Sequence, residues 1–166
     1  MISPALKLLV SVGAVLFWAA SPSQPADPDP DQEQTVNCDR LPPAVRTSFD
    51  KLFPEATVES CSEEEEMGRS AYEVTSVEGK TKRDTLFYAD GALVVVEEAI
   101  TAADLPRSVQ QAWNESFASD SIVLAERVTR DGTVTYEIQS LRAGRFIETV
   151  FDANGKELTK LSPSTR

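Results

Sequence analysis

The stretch Asp131-Gly132-Thr133-Val134-Thr135-Tyr136-Glu137-Ile138-Gln139-Ser140 decides how this chain is read. Val134, Tyr136 and Ile138 alternate with Thr133, Thr135, Glu137 and Gln139, the period of a strand with one buried face. Asp131-Gly132 ahead of it is a hairpin signal, because a type I′ turn needs positive φ at both central residues. The same turn chemistry recurs at Asp90-Gly91 and Asn154-Gly155, with a weaker version at Glu78-Gly79. Working outward from these turns, strands are expected at about 57–66, 69–77, 81–89, 92–99, 121–130, 133–141, 144–152 and 156–161.

Sliding the chain against itself by 64 positions gives a gapless match. Leu41-Pro42 meets Leu105-Pro106, Phe49 meets Trp113, Tyr72-Glu73-Val74 meets Tyr136-Glu137-Ile138, and Asp90-Gly91 meets Asn154-Gly155. A constant offset implies two copies of one unit. Each copy opens with a helix: Leu41, Val45, Phe49, Leu52 and Phe53 fall on one helical face, as do Leu105, Val109, Trp113 and Phe117. Pro42 and Pro106 suit a first helical turn, and Pro54 ends the first helix. The expected fold class is α+β: two tandem repeats, each one helix packed on a four-stranded antiparallel meander sheet whose other face stays bare. The repeats span 38–99 and 105–162, joined by a linker at 100–104 short enough for several arrangements, including one continuous sheet.

The chain has 166 residues, 41% of them hydrophobic, enough for one core or two small ones. Its 16 bases and 27 acids leave a net charge of −11, which disfavours nucleic acid and anionic membrane surfaces as partners. With no histidine, a His-dependent triad, a His–metal site and imidazole acid–base chemistry are excluded. Residues 1–23 read as an export signal: Lys7 precedes the apolar run Leu8–Ala20. At ~1.5 Å per residue that run is too short for a ~30 Å hydrocarbon core. A cut after Ala20 would put Trp18 at −3 and one after Ser23 puts Ser21 and Ser23 at −3 and −1, with an uncleaved anchor as the alternative, and the mature protein is placed in the periplasm or secreted. Residues 24–37, rich in proline and acid, read as a disordered tether. In an oxidising compartment Cys38 and Cys61 are expected to form a disulfide; without export they would be two free thiols.

Leu41-Pro42, Phe53-Pro54, Tyr72-Glu73-Val74 and Phe87-Tyr88-Ala89-Asp90-Gly91, in that order, resemble the PepSY-like domains. In particular the chain resembles the bacterial β-lactamase-inhibitor-like PepSY-like proteins, over about 41–99 and more loosely 105–161. The resemblance implies exported, non-catalytic domains with a helix on a four-stranded sheet. The inhibitor for which the group is named has two such repeats and grips its enzyme with the open sheet face. This chain departs at Asp152-Ala153-Asn154-Gly155, where the first copy has Tyr88-Ala89-Asp90-Gly91, so the two rims differ chemically. No enzyme-gripping residue carries over, and a shared fold does not by itself establish inhibition.

The expected function is an exported, monomeric, non-catalytic module without a cofactor. It binds a protein or peptide, a protease or other hydrolase of the envelope among the candidates, through the open sheet face. Glu73, Tyr88, Glu137, Arg145 and Phe146 are the expected contact residues. The alternative is a periplasmic cation or small-ligand sensor using the acidic first repeat, with Glu64 and Glu66 as metal candidates. Against that, Glu63–Glu66 also reads as an edge strand charged to prevent edge-to-edge pairing. Glu73 and Glu137 could pair as general acid and base, but alternation puts them on the outer face as surface carboxylates facing cross-strand bases. Asp152, Asn154 and Glu157, and likewise Asp90 and Glu97, lack the spacing of a twelve-residue calcium loop and read as hairpin turns. Residues 41–98 hold 13 acids and 6 bases (13 − 6 = 7 excess acids), whereas 104–166 hold 9 and 8, including Arg127, Arg130, Arg142 and Arg145. An acidic half steering toward a basic partner is the sharper reading of that asymmetry.

Overall fold

Nine strands pair in chain order, each antiparallel to the one before it, in a computed structural model that describes residues 34–160. The expected export signal and most of the tether lie outside the described residues. The strands are β1 (Gln34–Val36), β2 (Thr57–Glu66), β3 (Arg69–Glu78), β4 (Thr81–Tyr88), β5 (Leu93–Ile100), β6 (Ser121–Arg130), β7 (Thr133–Arg142), β8 (Arg145–Asp152) and β9 (Glu157–Lys160). Helix α1 (Pro43–Leu52) sits between β1 and β2, and α2 (Arg107–Phe117) between β5 and β6. Among the described residues no helix is long and apolar enough to cross a membrane.

This corrects the expected fold class. The chain does not build two repeats, each a helix on its own four-stranded sheet; it builds one nine-stranded sheet with two helices, a mostly-β fold. The physical reason lies at β5 and β6. Val95–Ile100 pair with Ala125–Arg130 at six registered positions. Two strand edges that separate sheets would leave exposed thus satisfy each other's backbone groups. The first strand also begins inside the expected tether, where Gln34–Val36 pair with Cys61–Glu63.

Both helices cover the same face. Val45 and Phe49 of α1 pack with Cys61, Val74 and Phe87; Val109, Trp113 and Phe117 of α2 pack with Ala125, Ile138 and Phe151. Leu52, expected on the buried face of α1, instead points outward at 46% exposure. The seam between the helices is ionic. Arg83 donates to Glu98 Oε1 at 3.0 and 3.2 Å, Arg127 donates to Glu98 Oε2 at 2.9 Å, and the Arg83 guanidinium lies 4.1 Å over the Phe53 ring.

The turns divide into two kinds. Asp131-Gly132 has positive φ at both residues (51° and 73°), as the type I′ reading requires. At Asp90-Gly91 and Asn154-Gly155 only the glycine is positive, at 82°. There the Gly91 amide donates to Tyr88 O and the Tyr88 amide to Ala92 O, a longer loop ended by a bulge rather than the expected type I′ turn. Both glycines are also space-limited: a Cβ on Gly91 would fall 2.6 Å from Ala44 O, and one on Gly155 2.4 Å from Ser108 O. The helix starts are seated directly on these loops.

Cys38 and Cys61 form a disulfide, fastening the turn before α1 to β2. Closing a separation of 23 residues stabilises the fold by about 3 kcal/mol on the chain-entropy account. Reduction is expected to lower the melting temperature by about 5–10 °C in calorimetry; an unchanged transition under reductant would refute that role.

Candidate binding face

On β5 two neighbouring glutamates meet opposite fates. Glu98 points to the helix side, where, against the desolvation of burial, hydrogen bonds from Arg127 and Arg83 hold its carboxyl below the usual range. Glu97 points to the other face, where no helix lies, and there burial and then the nearby carboxylates Glu126, Glu137, Glu73 and Asp84 lift it to about 9. That helix-free face carries an acid on each of several successive strands.

The register shows how. Glu73 stands opposite Leu86, Asp84 opposite Glu97, Glu126 opposite Glu137, and Glu148 opposite Gln139. Since side chains alternate along a strand, Glu73, Asp84, Glu97, Glu126, Glu137 and Glu148 all share this face, one on each of the six successive strands β3 to β8. Two of the cross-strand neighbours, Asp84–Glu97 and Glu126–Glu137, are like-charged pairs, an arrangement that destabilises a sheet. Burial, then Asp84 and Glu148, raise Glu126 to about 7; burial, then Glu148 and Glu126, raise Glu137 to about 8; burial also raises Glu148.

These carboxylates are sheltered because the sheet curls toward them. Arg130 of β6 donates to Glu66 of β2 at 2.9 Å. Four strand spacings separate those strands, about 19 Å on a flat sheet, farther than the two side chains reach together. Bulges supply the bend, since an extra residue in one strand kinks it and sharpens its twist. The register skips Glu59 in β2, Val94 in β5, Val123 in β6 and Leu158 in β9. Beneath the Arg130–Glu66 clasp, Ala71, Leu86, Val94, Val95 and Val128 form a third apolar cluster. The face is therefore a trough, apolar under the clasp and acidic beyond it.

Of the expected contact residues, Glu73, Tyr88, Glu137 and Phe146 lie on this face, and Arg145 alternates to the other. Tyr88 carries the Arg69 guanidinium 3.7 Å from its ring centre, and Phe146 is 62% exposed opposite Leu141. Glu137 is not a surface carboxylate facing a base. It is 6% exposed, its direct neighbour is Glu126, and no hydrogen-bond donor among the described residues reaches it. Glu73 and Glu137 sit on strands with three others between them, so they do not form a pair.

The run Glu63–Glu66 is not on an edge strand throughout, because β1 pairs with its first residue. Glu63 accepts hydrogen bonds from Ser70 and Tyr72, and Glu66 is engaged by Arg130, so the Glu64 and Glu66 metal candidates are not two free ligands. Among the described residues no group of three or more cysteines and carboxylates is arranged to hold a metal ion. Asp152 Oδ1 accepts from the Asn154 and Lys156 amides, and Asp90 Oδ1 from the Ala92 amide, the work of turn residues. A cavity of about 280 Å³ lies apart from the trough, against α2, lined by Ala102, Leu105, Trp113 and Ile122 among others and by no charged side chain.

Asp84, Glu126 and Glu148 were not singled out by sequence reasoning. A signal existed: Asp84 and Glu148 stand 64 residues apart, as do Glu73 and Glu137. Asp84 Oδ1 and Glu148 Oε1 are both buried oxygens without a hydrogen-bond partner.

No protein-family model and no curated protein matches the chain. Solved structures do. A BLIP-like protein from Bacteroides fragilis is 17% identical, with a TM-score of 0.61 over 74% of this chain and 86% of that one. A DUF2874 family protein from Bacteroides ovatus is 16% identical, with a TM-score of 0.64 over 74% and 88%. A protein from Bacteroides eggerthii, provisionally described as periplasmic, is 17% identical, with a TM-score of 0.64 over 73% and 88%. At these identities the likeness shows the fold, which is BLIP-like.

Proposed function

We propose that this protein is an exported, non-catalytic binding module that takes a protein or peptide partner in the trough of its sheet. The observation that carries this reading is the helix-free face itself: six strands contribute an acid each, and their opposite neighbours do not neutralise them. A structure that served stability alone would place bases or apolar groups there. The apolar patch under the clasp and the exposed Phe146 and Leu141 at the rim add the mixed chemistry that protein-binding surfaces use. The periplasmic description of one neighbour supports the location, and the BLIP-like fold together with the PepSY-like resemblance supports modulation of an envelope hydrolase as the finer reading.

The test is capture from an envelope extract on immobilised protein, comparing Thr135→Arg, which obstructs the trough, with Ser116→Arg on the exposed side of α2. Partners held by the wild type should persist with Ser116→Arg and be lost with Thr135→Arg. Identical capture by both variants would refute the assignment of the face.

A further inference from the structure

Deepening that reading of the trough, we infer that its occupant is a linear basic segment of a partner protein, lying extended and obliquely across the strands with its lysines or arginines on the acidic ladder. Two independent observations point to a missing cationic ligand. The first is the ladder: Asp84, Glu97, Glu126, Glu137 and Glu148 step across β4 to β8 in one direction, moving along the strands by two residues at every second strand. The second is Glu137, 94% buried (100 − 6) on that face and reached by no hydrogen-bond donor among the described residues. Desolvating a carboxylate without a partner is costly, and a cation from outside would remove the cost.

The dimensions select the kind of cation. Four strand spacings and two two-residue steps give a track of roughly 23 Å on a flat sheet, the length of about seven residues of extended chain, which nine residues span in full. Small ions would satisfy one pair and leave the rest, whereas a linear polycation satisfies the series. The bases of the described strands on this face, Arg69, Lys82 and Arg130, do not fill it: Arg69 lies over Tyr88 and is bound to Asp90, Lys82 is exposed, and Arg130 is bound to Glu66. Ladder acids come from both halves of the chain, so the excess acidity of the first half is not what makes the track. Carboxyls that hold their protons near neutral pH would release them to an arriving cation.

Titration calorimetry of the full chain at pH 8 and low salt, with nonalysine as the probe, tests the inference. Nonalysine should bind one to one and release protons, and trilysine should bind at least about tenfold more weakly. The pair Glu126→Gln with Glu137→Gln should weaken nonalysine about tenfold or more, while Glu55→Gln with Glu115→Gln, equal in charge but off the face, should change it less than about twofold. Both replacements in the trough remove a buried charge, so folding is not put at risk. Equal losses from the two pairs, or spermine or calcium binding as tightly as nonalysine, would overturn the track. So would silence with nonalysine; if partner capture still depended on Thr135 in that case, the track alone would fall and the broader reading would stand.

Discussion

The protein is expected to melt on the order of 10 °C lower at pH 9 than at pH 5, the reverse of the usual acid sensitivity of folded proteins. Burial, reinforced by neighbouring acids, raises Glu97 to about 9, Glu137 to about 8 and Glu126 to about 7 in the folded state, from an ordinary 4.5. The native protein therefore binds more protons than the unfolded chain throughout that interval. Below pH 4.5 both states are protonated at these positions and nothing is lost. As pH rises from there to about 9 the unfolded chain ionises while the native state resists, and stability falls. The net charge of −11 at neutral pH adds repulsion in the same direction. Glu98, held low by Arg127 and Arg83, works the other way, its contribution disappearing as pH falls below the ordinary carboxylate range, so the optimum should sit near pH 5. Thermal scans at half-unit intervals from pH 4 to 9 would show this. Glu137→Gln should flatten the alkaline limb and raise stability at pH 8, with little effect at pH 5. A melting temperature that rises steadily to pH 8 would contradict the burial of these acids.

Arg130→Met should destabilise the protein by about 2–4 kcal/mol, because it leaves Glu66 without its counter-charge in a buried position. Glu66 is 5% exposed, and its bond to Arg130 is 2.9 Å long. The Arg130 side chain is 26% exposed, which places the loss toward the lower part of the range for interior ion pairs. Arg130 also restrains Glu137, lowering its affinity for a proton, so the variant should push the Glu137 titration further up. In urea the midpoint should fall by about 1–2 M. The double replacement Glu66→Gln with Arg130→Met should recover about half of the loss, since a neutral amide no longer demands a cation. A loss under about 0.5 kcal/mol would mean that the clasp is a surface contact.

Local order was largely legible. Val134, Tyr136 and Ile138 alternate just as the strand period requires, and Phe49 and Trp113 recur on the helix faces that pack the two helix-side cores. What escaped were quantities set by distant pairing. Nothing in Val95–Ile100 declares that its outer edge will meet Ala125–Arg130, because a backbone edge carries no side-chain signature. Leu52 follows the helical period yet stays exposed. Asp90-Gly91 has the composition of a type I′ turn, but the helix start at Ala44 presses on it and the loop takes another form. The candidate site was half visible. Alternation placed Glu73 and Glu137 on the correct face, but their shelter depends on curl, which arises from single inserted residues such as Val94 and Val123 that periodicity cannot distinguish from their neighbours.

Strand order that follows chain order also shapes how the protein reaches its native state. Each strand lies beside its predecessor, so most of the pairing is made between segments a short hairpin apart. Only β1 with β2 and β5 with β6 must wait for a helix to form between them. Such a topology asks for little long-range searching, and a chain delivered gradually from one end can zip each new strand onto a finished edge. An emerging chain would thus spend little time with more than one growing edge uncovered.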